Sequence, residues 1–233
     1  MNAPPLSLVL ALLGMAAIWL ALPVFRSASI GRAGERKVRR GLHRIGAVSF
    51  NDAYLLVKDR IAQVDHLVCT ERGIVILETK DWTGRLSCQG PGKPWLLQQG
   101  GYRRTRHNPQ DQNGWHQRVV SRYTRSVPLL AWVVLAGDGR FVGPAPEGVY
   151  TVREMLTHLQ ELGLDPNRFS PEIRNAWKSL LKNNLRDRAS RRRQLRQATR
   201  SVWRYAREGY ALEIFGVGVG LLGIAVIWSG IFF

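Results

Sequence analysis

Residues 61–80, IAQVDHLVCTERGIVILETK, decide the fold of this chain. They consist of two apolar runs rich in β-branched side chains, joined by the polar segment Thr70-Glu71-Arg72-Gly73, and this pattern is typical of a β-hairpin. Asp65 lies in the first run, and Glu78 and Lys80 lie at the end of the second. Because side chains alternate between the two faces of a strand, Glu78 and Lys80 share a face.

The length of the turn sets which residue faces Asp65. With residues 71–72 as a two-residue turn, Asp65 lies directly opposite Glu78, with Cβ atoms roughly 5 Å apart. With residues 72–73 as the turn, Asp65 faces Lys80 instead. In both registers the three charged side chains share one face, and only an odd-sized loop or a bulge would separate them.

This arrangement of charges predicts a hydrolytic site. Two neighbouring carboxylates repel each other unless a cation lies between them. A hard cation such as Mg²⁺ needs only a few carboxylate oxygens together with water and substrate phosphate, and a lysine beside it can position the attacking water. The pattern therefore indicates metal-dependent phosphodiester hydrolysis. The alternative is an ordinary surface ion pair between Glu78 and Lys80 at a strand end.

The net charge and the cysteine count limit the kinds of partner and site that this chain can have. The chain has 233 residues and a net charge of +17, so its surface attracts polyanions such as nucleic acid or an anionic membrane. Cys69 and Cys88 form no CxxC pair, which argues against a disulfide framework and against a zinc site.

Two apolar segments, residues 6–25 and 211–233, are each long enough to cross a bilayer as a helix. Basic residues follow the first segment and fill residues 186–210 before the second, which places both flanks in the cytoplasm. The sequence therefore predicts a two-pass protein of the inner (cell) membrane. Residues 1–5 form a short external tail, both termini lie outside, and the catalytic domain is cytoplasmic.

The arginine-rich segment 186–210 is predicted to be a juxtamembrane helix, and helical periodicity runs from residue 171 to residue 207. Two partners fit the basic surface of residues 186–207: anionic lipid headgroups, or the phosphates of nucleic acid. The adjoining span favours lipid. Gly216 and Gly220, four residues apart in that span, predict close helix approach, either within one chain or in a homo-oligomer.

Strand and helix patterns alternate between the predicted spans. The predicted strands are residues 53–57, 61–70, 73–80, 85–87, 95–97 and 129–136, and the predicted helices are residues 31–45, 152–162 and one beginning at Asn108-Pro109. Three of the strands are apolar on both faces, which predicts a sheet covered by helices on each side. The fold class is α/β, with a domain at residues 31–136 and a helical C-terminal extension at residues 137–185.

Four motifs resemble those of a known family. They are GERKV at 34–38, QVDH at 63–66, GIVILETK at 73–80 and NPQDQNGWH at 108–116. In this order and spacing they resemble the nuclease-related (NERD) domain, which is similar to the restriction-endonuclease-like PD-(D/E)xK superfamily. The resemblance implies a restriction-endonuclease-like mixed sheet flanked by helices, and a nuclease activity.

The resemblance also implies residue roles. Asp65, Glu78 and the Thr79 carbonyl would hold Mg²⁺ or Mn²⁺. Lys80 would orient or deprotonate the attacking water and offset charge on the phosphate. Gln112 would contact the metal-bound water or the substrate backbone.

Other candidates are more peripheral. Glu35 matches an additional acidic position beside the metal, although it equally fits a helix start paired with Arg39. Six residues are candidates for contact with nucleic acid: Arg103, Arg104, Arg106, His107, Asn113 and His116.

Two functions follow from these observations. The first is a membrane-anchored metal-dependent nuclease that acts on nucleic acid, DNA rather than RNA, on the cytoplasmic side. The second is a catalytically silent membrane-anchored module of the same fold that binds nucleic acid or a protein. The intact charged residues at positions 65, 78 and 80 favour the first.

Overall fold

The computed structural model of the protein describes residues 31–57, 60–125 and 127–185. The predicted spans at 6–25 and 211–233, the segment 186–210, and Gly216 with Gly220 lie outside these residues. No helix in the described ranges is long and apolar enough to cross a membrane.

The described elements alternate between strands and helices. In chain order they are α1 (31–44), β1 (Ser49–Val57), β2 (Arg60–Thr70), β3 (Gly73–Lys80), β4 (Arg85–Cys88), β5 (Trp95–Gln99), β6 (Tyr102–Arg106), α2 (Pro109–Thr124), β7 (Leu129–Leu135), β8 (Arg140–Phe141), β9 (Val149–Thr151), α3 (Val152–Glu161), a 3₁₀ turn (Pro166–Arg168) and α4 (Pro171–Asn183).

The main sheet is mixed, with strand order β1-β2-β3-β7-β9. β1, β2 and β3 pair antiparallel, whereas β7 is parallel to β3 and β9 is parallel to β7. Helices cover both faces, because the central strands are apolar on both. The packing residues of α1 and α3 on one face are Val38, Leu42, Met155 and Leu159, and those of α2 and α4 on the other are Val119, Val120, Ile173 and Trp177. The predicted mixed α/β class is confirmed.

A second sheet of four strands, in the order β6-β5-β4-β8, packs beside the first. Its apolar residues Leu86, Trp95 and Leu97 share a core with Val133 and Leu135 of β7. The sequence predicted two short strands here but not a sheet.

Two sequence predictions about residues 137–185 need correction. This region is not purely helical, since it supplies β8 to the second sheet and β9 to the main sheet. The helix predicted to continue from residue 171 ends at Asn183, because Asn184 adopts an extended conformation. The Asn184 side-chain oxygen accepts the Tyr54 N–H (2.8 Å), and the Leu185 N–H donates to the Tyr54 carbonyl (2.8 Å). The chain therefore leaves α4 by binding the exposed edge of β1.

Candidate functional site

The central hairpin adopts the first of the two predicted registers. β2 and β3 pair Thr70 with Gly73 and His66 with Leu77, so residues 71–72 form a two-residue turn. The pairing ends at His66 and Leu77, and the next residues on the two strands are Asp65 and Glu78. The hairpin thus brings the two acids to neighbouring positions, as an antiparallel pair with a two-residue turn requires.

The main sheet is distorted at Asp65. β1 and β2 pair Asn51 with His66 and Ala53 with Val64, but the intervening Asp52 and Asp65 are not paired, and Asp52 has a φ of 55°. Interruptions of this kind change which face a side chain occupies and occur often beside active sites. At this point Asp65 Oδ2 accepts the backbone N–H of Thr79 on β3 (2.8 Å). The Asp65 carboxylate is therefore tied to the strand that carries Glu78.

Lys80 joins the strand to helix α2. Its Nζ donates to Glu78 Oε1 (2.6 Å) and to Gln112 Oε1 (3.0 Å). Gln112 lies in the first turn of α2, which begins where Asn108 caps the helix and Pro109 occupies its first position, as predicted. The lysine ammonium group is thus fixed between two oxygen acceptors, while its side chain remains partly exposed.

Glu78 is buried, with 2 % of its surface exposed. His116 Nδ1, also on α2, lies 3.3 Å from Glu78 Oε2. The contact is close but poorly aligned for a hydrogen bond, so Oε2 is a buried carboxylate oxygen with no hydrogen-bond partner among the described residues. Such an oxygen is costly unless another group binds it.

The two acids differ in how readily they ionise. Although part of Asp65 remains accessible, burial raises its pKa to about 8, and the neighbouring Glu78 charge adds to the effect. Burial also acts to raise the pKa of Glu78, but the contacts from His116 and Lys80 outweigh it, and the Glu78 pKa falls below its usual value. Glu78 is therefore the ionised member of the pair, and burial together with the Glu78 charge opposes the ionisation of Asp65 even though Lys80 lies nearby.

Helix α1 brings a third acid into the same electrostatic environment. A Cβ atom on Gly34 would lie 2.8 Å from Asp81 Cβ and 3.2 Å from Ala136 Cβ, so only glycine allows this close approach of α1 to the ends of β3 and β7. Lys37 Nζ donates to the Ala136 carbonyl (2.7 Å) and fixes the helix there. Burial raises the pKa of Glu35, and the charges of Asp52 and Glu78 raise it further.

The donor atoms fit a hard divalent cation in part. In the described ranges, no three His, Cys, Asp or Glu side chains form a ready metal cluster. Mg²⁺, however, is usually held by one or two carboxylates together with water and substrate phosphate. Glu78 Oε2 has no hydrogen-bond partner among the described residues, and a bound cation would supply one. The same cation would favour the ionised form of Asp65, which the negative charge of Glu78 now opposes.

Two predicted nucleic-acid contacts are buried instead. Asn113 is 1 % exposed, and its Nδ2 donates to the backbone carbonyls of Ile76 (3.1 Å) and Trp132 (2.8 Å). His116 is 3 % exposed and faces Glu78. Neither side chain is accessible to a polynucleotide, so Asn113 instead ties α2 to β3 and β7.

The role of His116 beside Glu78 was missed at the sequence level. Its spacing from Gln112, four residues along the same helix, could have revealed it, because residues four apart lie on one face of a helix. Of the remaining candidates, Arg103, Arg104 and His107 are exposed, and Arg106 is half-buried.

Comparison with known proteins agrees with this geometry. Residues 30–136 match the family model described as NERD, nuclease-related domain. No curated protein and no solved structure matches the chain. The matched region contains all four motifs together with Glu35, Asp65, Glu78, Lys80 and Gln112, and it indicates a nuclease-related function and an interaction with nucleic acid. Residues 30–136, which carry Asp65, Glu78 and Lys80, thus match the nuclease-related (NERD) domain family.

Proposed function

We propose that this protein is a membrane-anchored, metal-dependent nuclease that hydrolyses phosphodiester bonds of nucleic acid on the cytoplasmic side of the membrane. The observation that carries the proposal is that Asp65 Oδ2 accepts the N–H of Thr79, the residue between Glu78 and Lys80, while Lys80 Nζ donates to Glu78 Oε1. DNA is preferred over RNA as substrate because the restriction-endonuclease-like nucleases that the domain resembles act on DNA.

Asp65, Glu78 and the Thr79 carbonyl are the proposed ligands of Mg²⁺ or Mn²⁺, with Glu35 as a further ligand. A bound cation of this kind would neutralise phosphate charge and lower the pKa of a coordinated water. Asp65 enters such a site already oriented, because its Oδ2 is held by the Thr79 N–H. His116 limits the rotation of Glu78 by packing against Oε2.

Besides the metal ion, we propose that the positively charged side chain of Lys80 takes part in catalysis. Its ammonium group has three N–H donors, of which Glu78 and Gln112 accept two. The remaining donor is available for the attacking water or for a phosphate oxygen, where it would stabilise charge that develops in the transition state. Gln112 acts through Lys80 by holding the ammonium group in place.

Membrane anchoring is the second part of the proposal. It rests on the apolar segments 6–25 and 211–233 and on the basic residues that flank both. A domain held at the inner surface would meet nucleic acid only in the cytoplasm.

Cleavage by the full chain in detergent tests the hydrolytic claim. With Mg²⁺, wild type should nick and linearise plasmid, and EDTA should abolish the activity. Asp65→Ala and Lys80→Ala should each lower the rate by about 100-fold or more. The matched controls Glu161→Ala and Lys178→Ala remove exposed charges elsewhere and should retain the wild-type rate. Equal rates for wild type, Asp65→Ala and Lys80→Ala would contradict the proposal.

The second candidate is a silent module that binds without hydrolysis, and one observation favours it: the described residues contain no ready three-ligand metal cluster. Thermal unfolding separates the two. A nuclease should gain stability with Mg²⁺, by an amount that disappears in Asp65→Ala, whereas a silent module should show no such difference.

A further inference from the structure

The second sheet has an unusual charge composition. Its four strands read RLSC, WLLQQ, YRRTR and RF, and they contain five arginines and no acidic residue. Acidic side chains on the same strands would reduce the net charge of such a cluster. Because these strands contain none, the sheet carries a concentrated positive charge.

The strand register arranges part of this charge in a row. Gln98 on β5 pairs with Arg103 on β6 and with Arg85 on β4, and Arg85 pairs with Arg140 on β8. Because directly paired residues point to the same face of a sheet, Arg103, Gln98, Arg85 and Arg140 form one continuous line across all four strands. We call these four residues the arginine row.

The arginine row faces away from the core. The adjacent line of paired residues, Leu97, Leu86 and Phe141, packs against the main sheet. Side chains alternate between faces, so the arginine row occupies the outer face. All three of its arginines are exposed.

The arginine row has no close acidic partner among the described residues. Its arginines take part in none of the ion pairs found there. Arg85 lies directly opposite Arg140, an arrangement of like charges that destabilises a sheet. A bound polyanion would remove this repulsion.

The dimensions suit a phosphate backbone. Strands are spaced about 4.8 Å apart, so the row extends roughly 14 Å. Phosphates follow each other about every 3.4 Å of axis on one strand of a duplex, so the row spans several of them. Guanidinium groups bind phosphate oxygens in a bidentate manner.

The row is also close to the hydrolytic site along the chain and in the fold. β3 pairs Glu78 with Val133 and Lys80 with Leu135, and these two β7 residues pack against the second sheet. Only residues 81–84 separate Lys80 from Arg85.

We propose that the arginine row is a backbone-binding surface that holds nucleic acid beside the hydrolytic site without the help of a cation. The choice of nucleic acid as the polyanion rests on the proposed function. The row acts on positioning and on affinity, and it touches no reacting atom.

Binding of a fluorescent DNA duplex to the full chain in detergent, with EDTA present, tests the proposal. Arg85→Gln, Arg103→Gln and Arg140→Gln combined should weaken binding roughly tenfold or more at 0.1 M salt. The slope of log affinity against log salt should fall by about 2.7, which is three lost phosphate contacts. Replacing the same three residues with lysine keeps the charge and should retain most of the affinity.

A charge-matched variant guards against a general effect of net charge. Arg44→Gln, Arg72→Gln and Arg153→Gln combined remove three exposed arginines from other elements, and binding and salt slope should stay near wild type. Equal weakening in the two triple variants would overturn the proposal. So would a row variant that keeps its affinity for duplex but binds phosphatidylserine-containing micelles less tightly, since the row would then contact lipid.

Failure of the hydrolytic proposal remains distinguishable from failure of this one. Binding is measured without divalent cations, and cleavage is measured separately with Mg²⁺. A chain that never cleaves but loses affinity only in the row variant would refute hydrolysis and leave the backbone-binding surface intact.

Discussion

At the scale of single residues, the site depends on how Glu78 is held. The carboxylate has one oxygen bound by Lys80 and one oxygen that is buried near His116 without a hydrogen bond. Loss of a group that orients a metal-binding side chain typically lowers metal affinity by about 10- to 100-fold. In the proposed metal site, His116 therefore acts as a positioning residue for Glu78.

His116→Ala should weaken Mg²⁺ binding by about 10- to 100-fold, because Glu78 gains rotational freedom. The concentration of Mg²⁺ that gives half of the maximal thermal stabilisation measures this affinity. His158→Ala, which removes an exposed histidine paired with Glu161, is the matched control and should leave it unchanged. A His116→Ala protein with wild-type Mg²⁺ affinity would exclude the positioning role.

A second residue, His66, contributes to the pH dependence of stability in mild acid. Burial lowers its pKa from 6.5 to about 4, and the charge of Arg39 contributes. The unfolded chain therefore binds more protons at this histidine than the folded one between these two values, so the contribution of His66 to stability is full above pH 6.5 and declines as the pH falls towards 4. The maximum contribution of His66 to this decline is roughly 3 kcal/mol.

The raised pKa of Asp65 opposes the contribution of His66, because the folded chain holds that proton between about pH 8 and pH 4 and the unfolded chain does not. His66→Gln should therefore give a free energy of unfolding that falls less, or rises more, than that of wild type as the pH goes from 6.5 to 4. Urea unfolding at several pH values gives the slope, and the difference in slope is informative even if the variant is less stable throughout. His43→Gln, at an exposed position, should keep the wild-type slope. Parallel slopes for wild type and His66→Gln would refute this assignment.

The sequence predicted that Asp65, Glu78 and Lys80 lie close together, but it did not predict the residues and backbone that surround them. The pattern left two registers open, because both a 71–72 and a 72–73 turn keep the charges on one face. It also could not reveal the interruption between β1 and β2 at Asp65, since a break in strand pairing leaves no fixed residue signature. Asn113 was misjudged because an amide on a helix looks solvated until its carbonyl partners are known.

At the scale of elements, the position of α1 depends on Gly34. Gly34→Ala should push α1 away from the ends of β3 and β7, because its Cβ would meet Asp81 Cβ at 2.8 Å. We expect a loss of about 1–3 kcal/mol in the free energy of unfolding, together with reduced cleavage, since Glu35 moves with the helix.

Gly31→Ala is the control for this substitution. Its Cβ would meet no atom within 4 Å, so the variant should be as stable as wild type or gain up to about 1 kcal/mol from better helix propensity. Chemical denaturation measures both variants. If Gly34→Ala matched Gly31→Ala in stability and in cleavage, the close approach of α1 would have no functional importance.

The main strands were predictable because they are apolar on both faces and bounded by clear turns. The second sheet was not, because β6 reads YRRTR and carries no apolar alternation on either face. β9 has only three residues, too few for a periodic signal, which explains the wrong prediction of a purely helical region after residue 137.

At the scale of the whole molecule, the charge distribution predicts a topology. Basic residues flank both apolar segments on the same side, so the domain between them should lie in the cytoplasm and both termini outside. In intact cells whose outer surface is accessible, external protease should remove epitope tags from both ends and leave a tag inserted at Gly90–Gly92 untouched. Protection of the end tags together with loss of the internal tag would reverse the orientation.

The contact between Tyr54 and residues 184–185 has a mechanical consequence. There Asn184 Oδ1 and the Leu185 N–H form hydrogen bonds with the backbone of β1, directly after helix α4 ends. Tension transmitted along the chain after residue 185 would act first on two hydrogen bonds at the sheet margin, with one strand, β2, between them and β3, which carries Glu78 and Lys80. A pull from the proposed membrane anchor would therefore break these two hydrogen bonds before it distorted the proposed hydrolytic site.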